Sequence, residues 1–198
     1  MPINDPQLHK AFAIFDSIHQ KDPKLKIVSG QATSYSTLYH HKLSEWIDRI
    51  VINPSVPLRL AARSQHIQRW SIPRSTYPMN KLGYRRWRTK LAQFHAKTAA
   101  DILRQVNYDE YTISRVQQIL RKERLKIDSE VQHLEDAICL VFLELELEEF
   151  SKQHSKEKLV NILEKTWNKM SLLGHQLALN LDLSEDLQDL LKEATSKP

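Results

Sequence analysis

Apolar residues return every third or fourth position along almost the whole chain, with no clear two-residue alternation. This property constrains the fold most: a period near 3.6 lays an apolar stripe along a helix, whereas a half-buried strand needs a period of two. Leu8, Phe12, Phe15 and Ile18 form the first stripe, over residues 6–20. Lys21–Thr33, with Pro23, Gly30 and small polar residues, reads as a connection. A second helix is expected from Ser34 or Ser36 to Val51, with Leu38, Leu43, Trp46, Ile47 and Ile50 inward. Ser55 can cap a third, running from Leu58 to about Trp70, with Pro57 in a first turn where its missing N–H costs little.

Pro73 and Pro78 bound an irregular loop over residues 71–80, followed by a long helix near Leu82–Val106. Asp109 can cap a helix over Glu110–Glu123, and Ser129 with Gln132 forms a capping-box pattern before Val131, Leu134, Ile138, Val141 and Leu145. The apolar run 137–143 marks that helix as central. Residues 155–170 and 184–195 read as further amphipathic helices. The expectation is a single compact all-α domain over 1–198, its core at about 6–182 and a C-terminal helix at 184–195. The chain holds only 3 glycines, which argues against a nicotinamide, flavin or P-loop nucleotide site. Residues 1–5 lack the regions of a signal peptide, no apolar run spans a bilayer, and the single cysteine, Cys139, sits in the apolar run. The expected setting is therefore cytoplasmic, with no membrane partner.

Charge is strongly segregated. Arg59–Lys126 carries 16 basic and 4 acidic residues, a net of +12, against +1 before it and −8 after it, and no acidic residue falls between Asp48 and Asp101. Such a block suits anions: phosphate groups of a small molecule, a nucleotide or an RNA such as tRNA, or the acidic C-terminal third of the same chain. Arg63, Arg69, Trp70, Arg74, Tyr77 and Arg88 are the candidate phosphate-binding residues here, joined by Arg121 and Lys122 further on. Guanidinium forks match phosphate oxygens, the aromatics offer stacking planes, and the prolines flanking Arg74 limit its loop. On a continuous helix Arg59, Ala62, His66 and Arg69 would share one face.

His95 borders an apolar face, His66 on a neighbouring helix could converge with it, and Asp136 precedes the apolar run of the central helix, where a lone carboxylate is costly. Together they are candidate ligands for a divalent transition metal such as iron, manganese or zinc, with His41 a weaker fourth. Glu123, set among cations, and Asp136 are the candidate catalytic carboxylates.

The run His66-x-x-Arg69-Trp70-x-x-Pro73-Arg74-x-x-Tyr77-Pro78, continuing through Gly83-Tyr84-x-x-Trp87-Arg88 and Phe94-His95-Ala96, resembles a bacterial and fungal family, the domain of unknown function DUF4202. Leu120–Lys126 and Leu134–Glu144 look like its later motifs, and the likeness covers about residues 6–182. Some fungal members carry a glutamyl-tRNA synthetase label, but this chain has neither the nucleotide-binding signatures nor the length of such an enzyme. More distantly, the order of elements resembles an HD-domain phosphohydrolase. That resemblance implies an HD-like helical bundle, with His41, His66, His95 and Asp136 standing where the superfamily places metal ligands. Ile67 replaces the paired aspartate, so the implied site is degenerate. The expected function is a basic Arg/His/Trp-lined pocket for a phosphate-bearing ligand, with metal-dependent phosphohydrolysis as one form. The alternative is an RNA-, tRNA- or nucleotide-binding module without catalysis.

Overall fold

In a computed structural model that describes residues 5–28 and 30–195, ten helices surround one hydrophobic core; residues 1–4, read above for a leader, lie outside the described part. In chain order they are α1 (Pro6–His19), α2 (Tyr35–Ile50), α3 (Val56–Ser64), α4 (Lys81–Gln105), α5 (Glu110–Leu120), α6 (Ser129–Val141), α7 (Leu147–Ser151), α8 (Lys156–Trp167), α9 (Leu172–Leu179) and α10 (Glu185–Thr195). Helix α6 passes into α7 through a wider π-helical turn, Phe142–Glu146. The segment expected to be a plain connection instead forms an antiparallel hairpin of β1 (Leu25–Val28) and β2 (Gln31–Ser34), with Leu25 opposite Ser34. Gly30 makes its turn at a φ of 81°, a conformation that suits a residue without Cβ.

Side-chain caps set most helix starts. Asp5, Ser34, Ser55, Asn80, Asp109 and Asp128 each accept a bond from a first-turn N–H. Ser55 and Asp109 act as expected. The cap of α6 is Asp128 rather than Ser129, which falls inside the helix. The periodic stripes become the core: Leu8 and Phe15 of α1, Leu43, Trp46 and Ile47 of α2, Ile113 and Ile119 of α5, and Leu134 and Leu140 of α6 are all at most 3% exposed. At roughly 25 cal/mol per Å2 of apolar surface removed from water, burying each large side chain stabilises the fold by about 1.5–3 kcal/mol. Helix α5 packs between α3 and α4, α6 lies on α2, and α10 covers α8. No helix of the described residues is long and apolar enough to cross a membrane.

Two departures from simple periodicity position the functional region. Helix α3 ends at Ser64 instead of running to Trp70, and Gln68 enters a left-handed conformation (φ 52°) before a 3-10 turn at Arg69–Ser71. A second 3-10 turn, Arg74–Thr76, follows. Loop 71–80 then presses against α4. Gly83 permits this, since a Cβ there would lie 2.1 Å from the Pro78 carbonyl oxygen.

Candidate anion-binding cleft

A cleft of about 690 Å3 opens between α2, the turns at 66–74, the first half of α4, the turn after α5, and the α6–π–α7 run. Because α3 stops early, Arg69 leaves the face it would have shared with Arg59. Arg59 pairs with Asp48 at 2.6 Å, and Arg63 makes a bidentate pair with Asp16 at 2.8 Å for each bond. Arg69 and Trp70 instead line the cleft. The Arg69 guanidinium stands 4.7 Å from the centroid of Trp87, whose indole N–H donates to the Ile72 carbonyl at 2.9 Å.

Among the described residues no carboxylate lies within ion-pair distance of Arg69, and its Nη1 is buried with no hydrogen-bond partner. Burial first and the neighbouring Arg88 second pull its pKa down. Arg88 also lines the cleft without an acidic partner among the described residues. Tyr39, on α2, is 4% exposed and lines the same space, and its hydroxyl also has no acceptor among the described residues. Burial raises its pKa, so it stays a protonated donor. Lys122 completes the basic wall at a φ of 58°, paired with the buried Glu135; burial lowers its pKa while Glu135 opposes that shift. Buried donors are rarely left unpaired in native proteins, and each such group requires an explanation.

Behind Tyr39 lie four histidines. His19 stacks on His40 with centroids 3.7 Å apart, and His66 stacks on Tyr39 at 5.2 Å and lies 5.7 Å from His95. Carbonyl partners fix three tautomers, because a carbonyl can only accept. His19 Nε2 donates to Arg63 O, His40 Nδ1 to Ser36 O, and His95 Nδ1 to Ile67 O. The free lone pair of His40 Nε2 accepts the backbone N–H of His66 at 3.2 Å, tying the turn after α3 to α2. Burial holds His19 and His95 at a pKa of about 4 and pushes His40 and His66 well below the usual histidine range. All four rings are neutral at pH 7.

The candidate residues thus divide. Arg69, Trp70, Arg74, Arg88, Lys122 and His66 line the cleft together, and His95 packs beside His66. Arg63 does not: besides Asp16 it donates to His41 Nε2 at 2.8 Å, so both Arg63 and His41 belong to a structural ion-pair cluster. Arg74 borders the cleft but donates to the carbonyls of Tyr77, Pro78 and Asn80, clasping its own loop. Tyr77 lies outside the cleft lining. Arg121 and Glu123, on either side of Lys122, are exposed, paired with each other at 2.8 Å and outside the cleft lining.

Asp136 departs furthest from expectation. Its oxygens accept from Ser171 N at 2.8 Å, Ser171 Oγ at 2.6 Å and Gln132 Nε2 at 2.9 Å, anchoring the start of α9. A Cβ on Gly174 would approach Asp136 Oδ1 to 2.8 Å, so the fit around this carboxylate is tight. The structure therefore does not bring Asp136 to His66 and His95. Among the described residues no group of three His, Cys, Asp or Glu is placed to hold a metal. The guanidiniums of Arg69 and Arg88 beside His66 also disfavour a cation.

Several cleft residues have no motif in the sequence: Tyr35, Tyr39, His40, Glu146 and Lys169. Spacing carried one usable signal. Tyr39, Leu43, Trp46 and Ile50 continue an inward stripe, so Tyr39 and its neighbour His40 stood closer to the core than the exposed His41. Comparison with known proteins bears on the family alone. No curated protein and no solved structure matches the chain. A family model described as a domain of unknown function, DUF4202, matches residues 9–191 and takes in both the cleft and the α8–α9 segment, so the chain belongs to the DUF4202 family.

Proposed function

We propose that the cleft is a binding site for a small phosphate-bearing ligand. The observation that carries this reading is the pair of buried donors without acceptors, Arg69 Nη1 and Tyr39 Oη, in a cleft also lined by Arg88. A guanidinium nitrogen shut off from water without an acceptor is costly, and a phosphate oxyanion supplies both the charge and the acceptors. Gathering Arg69 and Arg88 with His66 and Trp70 in one half-open cleft suits a compact anion better than a long backbone. Metal-dependent hydrolysis draws no support from the placement of Asp136, so the reading stops at binding.

Calorimetric titration of the protein with inorganic phosphate and pyrophosphate tests it. Saturable binding is expected, weakened at least about tenfold in Arg69→Gln, the loss of a charge-assisted contact. Absence of binding to either anion, or unchanged affinity in the variant, overturns it. A second reading, an RNA ligand, is favoured by the exposed Lys81, Arg85, Arg86 and Lys90 of α4, which have no acidic partner among the described residues. Only that reading predicts affinity for short RNA that falls steeply with salt.

A further inference from the structure

We infer that the ligand is a nucleotide, its phosphate held by Arg69 and Arg88 and its base laid on Trp70; this rests on the phosphate reading above. The chain has four tryptophans. Trp46 donates to Glu144 and carries Arg49 over its ring, Trp87 bonds Ile72 and lies under Arg69, and Trp167 stacks on His175 at 3.8 Å. Trp70 differs. Among the described residues its indole makes no hydrogen bond or ring contact, it does not pack against the hydrophobic core, and it lines the cleft half-buried. An indole in that position presents a free stacking face where every other tryptophan is engaged.

Its place in the chain gives the geometry a use. Arg69 and Trp70 are consecutive in one 3-10 turn, whose entry is fixed by the left-handed Gln68 and by the His66–His40 bond. An anion clamp and an aromatic platform are therefore carried side by side on one fixed turn, where a mononucleotide offers a phosphate to the first and a base to the second. Inorganic phosphate or a sugar phosphate would leave Trp70 idle, along with Ile138, Phe142 and Phe150, which line the cleft too. Glu146 lines the cleft as well, in the π turn, bonded to the Tyr35 hydroxyl through one oxygen; the other can accept from a sugar hydroxyl. A cleft of about 690 Å3 lies within the range that encloses a ligand of this size.

The test is a titration of the whole protein with adenosine and guanosine monophosphate, ribose 5-phosphate and inorganic phosphate, followed by calorimetry and tryptophan fluorescence. The nucleotides should bind at least about tenfold more tightly than ribose 5-phosphate, the worth of one stacked base. They should also quench fluorescence. In Trp70→Leu the nucleotide advantage should vanish while phosphate affinity is retained. Trp70→Phe, which keeps an aromatic face, should keep the affinity and lose the quench, and it serves if the leucine variant fails to fold. Equal affinity for nucleotide and ribose 5-phosphate overturns this inference and leaves the phosphate site standing. Failure of all four compounds to bind overturns the phosphate reading itself. Tighter binding of a short single-stranded RNA than of any mononucleotide overturns the mononucleotide assignment in favour of RNA.

Discussion

Acidification should unfold this protein sooner than its surface charge would suggest, because of the buried histidines. His19 and His95, both held near pKa 4 by burial, would titrate at 6.5 in the unfolded chain. A base whose pKa is depressed by folding contributes full stability above the unfolded value and loses it as pH falls toward the folded one. At pH 5 each ring costs about 2 kcal/mol relative to pH 7.5, so the two together remove about 4 kcal/mol from a typical total of about 5–15 kcal/mol. His40 and His66, depressed further, act in the same direction. Asp128, held near 2 chiefly by its bonds to Arg115, adds its loss only below about pH 4 and does not obscure the effect. In urea, with a slope of about 2–3 kcal/mol per molar, the unfolding midpoint should drop by about 1.5–2 M between pH 7.5 and 5. His95→Asn should reduce that pH dependence by the share of one ring, whatever it does to stability at pH 7.5. A midpoint that stays constant from pH 7.5 to 5 would refute the reasoning, since it would mean that these rings already accept protons in the folded state.

Arg63→Met should destabilise by about 1.5–3 kcal/mol in chemical denaturation, because it strips the half-buried Asp16 of its bidentate partner, and should leave phosphate affinity unchanged. Gly83→Ala should displace loop 71–80 from α4, lowering the melting temperature and the affinity for phosphate together, as should loss of the Arg74 clasp in Arg74→Ala; limited proteolysis within 71–80 reads both. Asp136→Asn places an amide among donors at the start of α9 and should cost about 2 kcal/mol of stability with no change in cleft binding, measured by denaturation and calorimetry.

The helices were legible because their stripes are regular and their caps chemically distinct. Ser55 before Pro57 and Asp109 before Glu110 left little choice of helix start. The hairpin was not legible: β1 and β2 are mostly exposed, so no buried face imposed an alternation on Leu25–Ser34. The end of α3 was hidden too. Ile67 is fully buried and continues the helical pattern, while the chain turns at Ser64 because His40 captures the N–H of His66, a contact between residues 26 positions apart. Within the cleft, the basic and aromatic members were visible as a block of unopposed charge. Their sorting was not, because it depends on which guanidinium finds a carboxylate: Arg63 meets Asp16, whereas Arg69 meets none among the described residues. Asp136 drew attention correctly as a carboxylate in an apolar setting, but the partner that offsets its burial is Ser171, whose position no local pattern reveals.

The π turn at Phe142–Glu146 has a consequence for length variation in this chain. A π turn accommodates one residue more than the α-helical turn it replaces, so the extra residue is absorbed locally and the helix on either side keeps its facing. Deleting a single residue inside that stretch should let it close as ordinary α-helix, with Leu140 and Leu147 still directed inward and only the contour beside Glu146 altered. The same deletion within Ser129–Val141 would rotate every following position by about 100° and turn apolar residues to water. Gaps among related sequences should therefore be tolerated in the first stretch and excluded from the second.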